Sequence, residues 1–250
     1  MEGDIGAALI VIGNEVLSGR TQDANIQYIA SGLNGVGVRL KEVRIVEDDE
    51  AAIVRAVNEL RAAYAYVFTT GGIGPTHDDI TAECVAKAFG VPLLRDPRAV
   101  ECLLRQIKPE NLNEARLRMA NIPEGADLID NPVSHAPGFR IGNVHVMAGV
   151  PKIMQAMFDG IKGSLQGGRP LVSANVTLHM GEGVIADGLR QIQAEHPEVE
   201  IGSYPFSRDG HYGTVIVTRG PDPAVVERVS ERVAEMAETL GGRVEREGRV

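Results

Sequence analysis

The stretch of this chain with most potential for chemistry is residues 69–81, Thr-Thr-Gly-Gly-Ile-Gly-Pro-Thr-His-Asp-Asp-Ile-Thr. Three glycines in four positions, Gly71, Gly72 and Gly74, follow an apolar run and let main-chain N–H groups come close to a phosphate. Thr70 and Thr76 add hydroxyls at either end, and Pro75 stiffens the turn. The pattern predicts a helix from about Asp79 to Phe89, whose N-terminus would add positive potential. Neither the dinucleotide spacing G-x-G-x-x-G nor the Walker spacing with Gly-Lys is present. Asp78 and Asp79 fall where that phosphate would sit, and bare carboxylates repel it. A divalent cation such as Mg²⁺, bridging both acids and the ligand, resolves the conflict. Helix capping by Thr76 with Asp79 three residues on is the simpler alternative. It accounts for one carboxylate, but for neither the second nor the glycines. His77 reads as an exposed turn residue rather than a base.

Three further segments are candidates. In Gly13-Asn14-Glu15-Val16-Leu17-Ser18-Gly19, Glu15 could touch a metal or water and Ser18 the ligand. Asp23 and Asn25 open the next helix, where capping is their ordinary role. Residues 131–138, ending in Gly138, form an irregular turn, and Gly149 leads into a proline-started helix N-terminus at Pro151. No Ser/His/Asp order or Cys/His pair points to nucleophilic catalysis.

These segments need a frame to hold them. Residues 7–12 and 65–70 are unbroken apolar runs suited to strands buried on both faces. Residues 38–46, 127–129 and 143–147 are strand-like. Ile26, Ile29, Ala30 and Leu33 mark one helix, and Ile53, Val57 and Leu60 the next; helical stretches also cover 97–107, 111–120 and 151–161. The Met154, Met157, Phe158 and Ile161 stripe reads as packing. Strands alternating with helices predict a right-handed, mostly parallel α/β sheet over residues 1–166. After the linker-like Gln166-Gly167-Gly168-Arg169-Pro170, residues 171–250 read as a small α+β domain of βαββα order.

The chain has 250 residues, 44% of them hydrophobic, and a formal net charge of −9. That balance argues against a broad nucleic-acid surface, while local backbone dipoles can still bind a small anion. Cys84 and Cys102 have no metal-type spacing and read as buried apolar groups in a reducing compartment. The apolar run at 7–12 is too short to span a bilayer, so a cytoplasmic protein with no membrane partner is expected.

GNEVLSG, DAN, TTGGIGPTHDDIT, NPVSHAPGF and AGVPKIM occur in that order. Together they resemble the amino-terminal part of the competence/damage-inducible protein A family, within the molybdopterin-binding superfamily. The resemblance covers about residues 7–163, and the segment from Leu171 is similar to the small domain that follows in that family. It implies a three-layer αβα fold and metal-dependent cleavage of a nucleotide pyrophosphate such as ADP-ribose or a flavin dinucleotide. It matches Gly71, Gly72, Gly74 and Thr76 to a phosphate loop and Asp79 to an acid used near magnesium. Asp78 stands where adenylyl-transferring relatives often carry Arg, which favours hydrolysis. Glu15 and Asn25 match an acidic loop and a helix start. Asn14 replaces a commoner Asp, and Ser134-His135 replaces Gly-Thr. No nicotinamide-nucleotide amidase segment is expected. The small domain is similar in shape to RNA-binding KH modules, but its eight arginines, no lysines and thirteen acids, together with a Gly210-x-x-Gly213 between strands, argue for packing or dimerisation instead.

The expected function is therefore a metal-dependent nucleotide pyrophosphatase. The alternatives are a pterin-adenylating protein of molybdenum cofactor synthesis, with molybdopterin as its ligand, and a non-catalytic binding module. The expected partner is a small anionic nucleotide or pterin, bound by a homo-oligomer of two or three chains.

Overall fold

The structure is a computed structural model that describes residues 5–208 and 211–247. Gly210, one of the Gly210/Gly213 pair, lies outside them. The chain divides into two units, Met1–Gly168 and Arg169–Val250.

In the first unit the chain order is β1 (Ile5–Ile12), α1 (Asn14–Leu17), α2 (Asn25–Gly35), β2 (Val38–Val46), α3 (Glu50–Ala63), β3 (Tyr66–Thr70) and α4 (Thr81–Phe89). Then come β4 (Leu93–Arg95), α5 (Pro97–Leu104), α6 (Glu114–Leu117), β5 (Asn121–Pro123), β6 (Asp127–Ile129), β7 (Gly138–Ile141), β8 (Val144–Met147) and α7 (Pro151–Lys162). The main sheet has the order β2-β1-β3-β8-β7-β6. Its first four strands are mutually parallel, and β7 runs against both of its neighbours.

The alternation of β1 sorts its side chains into two cores. Ala8, Ile10 and Ile12 pack with α3, α4 and α5 through Ile53, Val57, Val85 and Leu103. Ala7, Leu9 and Val11 pack with α2 and α7 through Ile29, Leu33, Met154, Met157 and Phe158. A strand covered on both sides by helices must be apolar at every position, which is why residues 7–12 carry no polar side chain. The result is a three-layer αβα unit with a mixed, mostly parallel sheet, and the methionine stripe is indeed core.

Several elements differ from the sequence expectation. The loop after β1 contains the helical turn α1. The helix expected at 97–107 ends at Leu104. The one expected at 111–120 is broken into a 3-10 turn (Pro109–Asn111), α6 and a second 3-10 turn (Arg118–Ala120). β4 and β5, a three-residue antiparallel ladder, and β7 have no sequence signal long enough to show a period. The helix expected from Asp79 starts only at Thr81, for a reason that belongs to the site.

The second unit runs β9 (Val172–Leu178), α8 (Glu182–Glu195), β10 (Glu200–Arg208), β11 (His211–Gly220), α9 (Pro223–Thr239) and β12 (Val244–Glu247). Its antiparallel sheet has the order β10-β11-β9-β12. Val226, Val229, Val233 and Ala237 of α9 and Ile185 and Ile192 of α8 pack on Val176, Leu178 and Ile216. Asp222 caps α9 by accepting from the Ala224 amide at 2.9 Å, with Pro223 preset as the first helical residue. The order is thus βαββαβ rather than βαββα. The extra strand β12 sits at a sheet edge and carries charge, as Arg246 is held by Glu231 (2.7 Å) and Glu238 (3.0 Å) of α9.

Candidate active site

The carboxyl ends of the four parallel strands β1, β2, β3 and β8 open onto one cavity of about 560 Å³. Ile12 and Gly13 line it beyond β1, Asp48 beyond β2, Gly71 to Asp79 beyond β3, and Ala148 to Pro151 beyond β8. This is the edge at which open α/β sheets bind ligands, because loops from several strands converge there.

The turn after β3 is held from beneath. Gly71 has φ +103°, and a Cβ on it would lie 2.1 Å from the Ile12 carbonyl oxygen, so the turn packs directly on the end of β1. Gly71 N–H donates to Met147 O at 3.2 Å. Ten residues on, buried Thr81 closes the loop: its hydroxyl donates to Gly71 O at 2.9 Å and its amide to Gly72 O at 3.0 Å. Residues 72–80 are therefore a closed excursion, and the helix begins only where Thr81 anchors it. The amides of Gly72, Ile73 and Gly74 meet no acceptor among the described residues. Unsatisfied amides on a cavity wall suit an anion. The N-terminus of α7 reaches the same cavity through Val150 and Pro151 and adds positive potential.

The two acids sit on this excursion, not in the first helical turn. Thr76 Oγ1 lies 2.6 Å from Asp78 Oδ1 and 2.6 Å from Asp79 Oδ2, so one hydroxyl proton serves both carboxylates. The Thr76 amide also donates to Asp79 Oδ2 at 2.8 Å. Half of the expected Thr76–Asp79 capping pattern is present: the Asp79 carboxylate accepts from the Thr76 amide, but the Asp79 amide donates to the Thr76 carbonyl oxygen and not to its hydroxyl, and the pair folds a turn ahead of the helix. The Thr76 hydroxyl and the main-chain amide of Asp78 hold the Asp78 carboxyl below the usual carboxylate range, so it is ionised at neutral pH. Gly74 lies against Asp79, where a Cβ would come within 2.6 Å of Oδ2.

Among the described residues no three His, Cys, Asp or Glu side chains converge as a metal cage. Two adjacent carboxylates with free lone pairs fit a hard cation that completes its shell from ligand oxygens and water. They do not fit a closed zinc site.

Of the expected site residues, Glu15, Gly71, Gly72, Gly74, Pro75, Thr76, Asp78, Asp79 and Gly149 all line the cavity. Glu15, carried on α1, folds its carboxylate back over Gly13. Thr70 and Asn25 line a small adjoining pocket. Ser18 lies outside both; its hydroxyl donates to Glu15 O at 3.3 Å. Gly138 is buried at the start of β7, where a Cβ would meet Val146 O at 2.2 Å, so its role in this structure is close strand packing. His77 is fully exposed and does not line the cavity.

Asp48 had no distinct sequence signal, whereas Asn131 opens the 131–138 turn already expected at the site. Asp48 lines the cavity and accepts from Asn14 N–H at 2.9 Å; it stands in the acidic run Glu47-Asp48-Asp49-Glu50, which reads as solvated surface. Buried Asn131 fastens the loop on the far wall. Its amide donates to Ser134 Oγ (2.7 Å) and Ala136 O (2.8 Å), and its Oδ1 accepts from the amides of Val133 and Ser134.

A glycine-rich turn with paired acids at a parallel-sheet edge is the arrangement of a ligand-binding α/β domain. Residues 8–166 match the family model described as a probable molybdopterin binding domain, and residues 170–241 match that of an FAD synthase middle domain. The chain is similar to the solved structure of the protein CinA from Thermoplasma acidophilum, at 34% identity and TM-score 0.61, covering 65% of this chain and 99% of that one. It is 35% identical to a CinA-like protein of Syntrophus aciditrophicus over 79% of this chain and 50% of that protein. It is 29% identical to a probable FAD synthase of Caenorhabditis elegans over 95% of this chain, spanning half of that protein. The chain belongs to the CinA family of molybdopterin-binding domains. Among the described residues no helix is long and apolar enough to cross a membrane.

Proposed function

We propose that the first unit hydrolyses a nucleotide pyrophosphate of the ADP-ribose or flavin-dinucleotide type with a divalent cation bound. One observation carries this: the unengaged amides of residues 72–74 and the two carboxylates of Asp78 and Asp79 share a cavity wall. The FAD synthase names among the relatives also favour a flavin dinucleotide.

In this scheme the amides of Gly72, Ile73 and Gly74 hold one phosphate, and the α7 N-terminus offsets its charge. Asp78 and Asp79 hold the cation, kept in place by the shared Thr76 hydroxyl. When bound, the cation neutralises the diphosphate and lowers the pKa of nearby water. The water oxygen bonds to one phosphorus, and the bond from that phosphorus to the bridging oxygen breaks. Two phosphomonoesters leave, and Glu15 passes the water proton to solvent.

Chromatography of ADP-ribose and FAD incubated with the full chain tests this. Release of AMP with Mg²⁺ or Mn²⁺, and none after chelation, is expected. No turnover of either compound with any divalent cation would overturn the proposal. The matching family model favours a second reaction, adenylyl transfer to a molybdopterin. There the AMP would appear on the pterin rather than in solution.

A further inference from the structure

Beside the main cavity lies a pocket of about 50 Å³, lined by Glu15, Thr21, Asp23, Asn25, Thr70 and Gly149 among others. Two of these lining residues each carry a buried polar atom with no partner among the described residues: Asn25 Oδ1, on a residue 4% exposed, and Thr70 Oγ1, on a residue 1% exposed. Buried acceptors are rarely left bare in folded proteins, and two at one pocket point to an occupant. The Asn25 amide cannot turn to relieve itself, because its Nδ2 donates to Gly149 O at 2.9 Å. Its Oδ1 is therefore left as an acceptor without a donor. The carboxylates of Glu15 and Asp23 are acceptors too, and no lysine or arginine lines the pocket. It rejects a phosphate and favours a group that donates hydrogen bonds.

The position narrows the choice. Gly149 connects the pocket to the anion turn: its backbone packs on Gly71, where an added Cβ would lie 3.1 Å from the Gly71 Cα. A group seated here is thus one residue away from the turn that holds phosphate. Glu15, Thr21, Gly149 and Pro151 line both spaces. The volume admits a few water-sized groups but not a base.

We infer that this pocket takes the vicinal hydroxyls of the ribose attached to the bound phosphate, with Asn25 Oδ1 and Thr70 Oγ1 as their partners. The inference rests on the nucleotide proposal above and makes the site selective for ribonucleotides. A 5′-linked sugar places its diol next to the phosphate, and each hydroxyl donates one bond while accepting another.

The test is calorimetric binding to the full chain, with Mg²⁺ present, of AMP, 2′-deoxy-AMP and 3′-deoxy-AMP. None has a phosphoanhydride to cleave. AMP should bind about tenfold more tightly than at least one deoxy form. In Thr70→Val that preference should vanish, while the melting temperature holds or rises because an unpartnered buried hydroxyl has gone. Equal binding of all three nucleotides, as a cation or ordered water in the pocket would give, overturns the inference and leaves the nucleotide proposal standing. So does a preference that survives in Thr70→Val. No binding of any of the three overturns both.

Discussion

Asp78 and Asp79 share the Thr76 hydroxyl as a donor, and one main-chain amide adds a bond to each, that of Thr76 to Asp79 and that of Asp78 to its own carboxyl. Removing either negative charge should weaken cation binding rather than the fold. Asp79→Asn and Asp78→Asn are each expected to lower kcat/KM for ADP-ribose by on the order of 100-fold with an unchanged melting temperature, measured by steady-state assay and thermal denaturation. A second residue-scale effect concerns stability. His145 is buried in β8 against Phe68, with ring centroids 5.1 Å apart, and its Nδ1 has no partner. Burial, with a smaller contribution from the Arg140 charge, pushes its pKa down to about 4 from 6.5. The unfolded chain therefore takes up a proton before the folded one does. The stability this neutral ring contributes is complete above pH 6.5 and is lost as pH falls towards 4, by on the order of 3 kcal/mol. Denaturant melts of His145→Phe should show a shallower loss between pH 6.5 and 4 than the parent chain. Equal slopes would refute the assignment.

At the scale of elements, the anion turn is shaped by what lies beneath it. Thr81 ties the base of the 72–80 excursion with two hydrogen bonds to Gly71 and Gly72. Thr81→Val keeps the shape and the amide bond but leaves Gly71 O without its hydroxyl donor. It should destabilise the chain by about 1–2 kcal/mol and raise KM for the nucleotide more than it lowers kcat, as urea melts and initial rates would show. Only part of this arrangement was legible in the sequence. The strands at 7–12 and 65–70 announced themselves because burial on both faces forbids polar residues, and Gly71-Gly72-x-Gly74 because few other residues tolerate that backbone. The start of α4 was misplaced by two residues because Thr76 and Asp79 satisfy the pattern of a helix cap while folding a separate turn. Asp48 stayed hidden because an acid in an acidic run looks like any solvated acid; only the parallel order of β2 and β1 brings it to the cavity. The 131–138 turn was singled out by its irregular composition, but the bonds Asn131 makes across its own loop follow no period. β12 alternates no apolar residues, since its role is to close a sheet edge with charge.

At the scale of the molecule, the proposed anion site belongs to a chain with a net charge of −9. In that proposal main-chain amides and the α7 N-terminus supply the local positive potential, since among the described residues no lysine or arginine lines the main cavity. Affinity for the nucleotide should therefore depend more on the divalent cation than on monovalent salt. Chelation should cost far more binding than raising KCl does, since the amide contacts and bound cation are short-range while bulk screening acts on exposed charge. Calorimetric titration at two salt concentrations, with and without EDTA, checks this. The most direct measurement is the anomalous scattering of Mn²⁺ in a crystal of the full chain soaked with ADP-ribose. The peak should lie within roughly 2.0–2.3 Å of carboxylate oxygens of Asp78 or Asp79, with a phosphate against the amides of residues 72–74. A peak away from both carboxylates, or a phosphate bound elsewhere with that turn empty, would contradict the account.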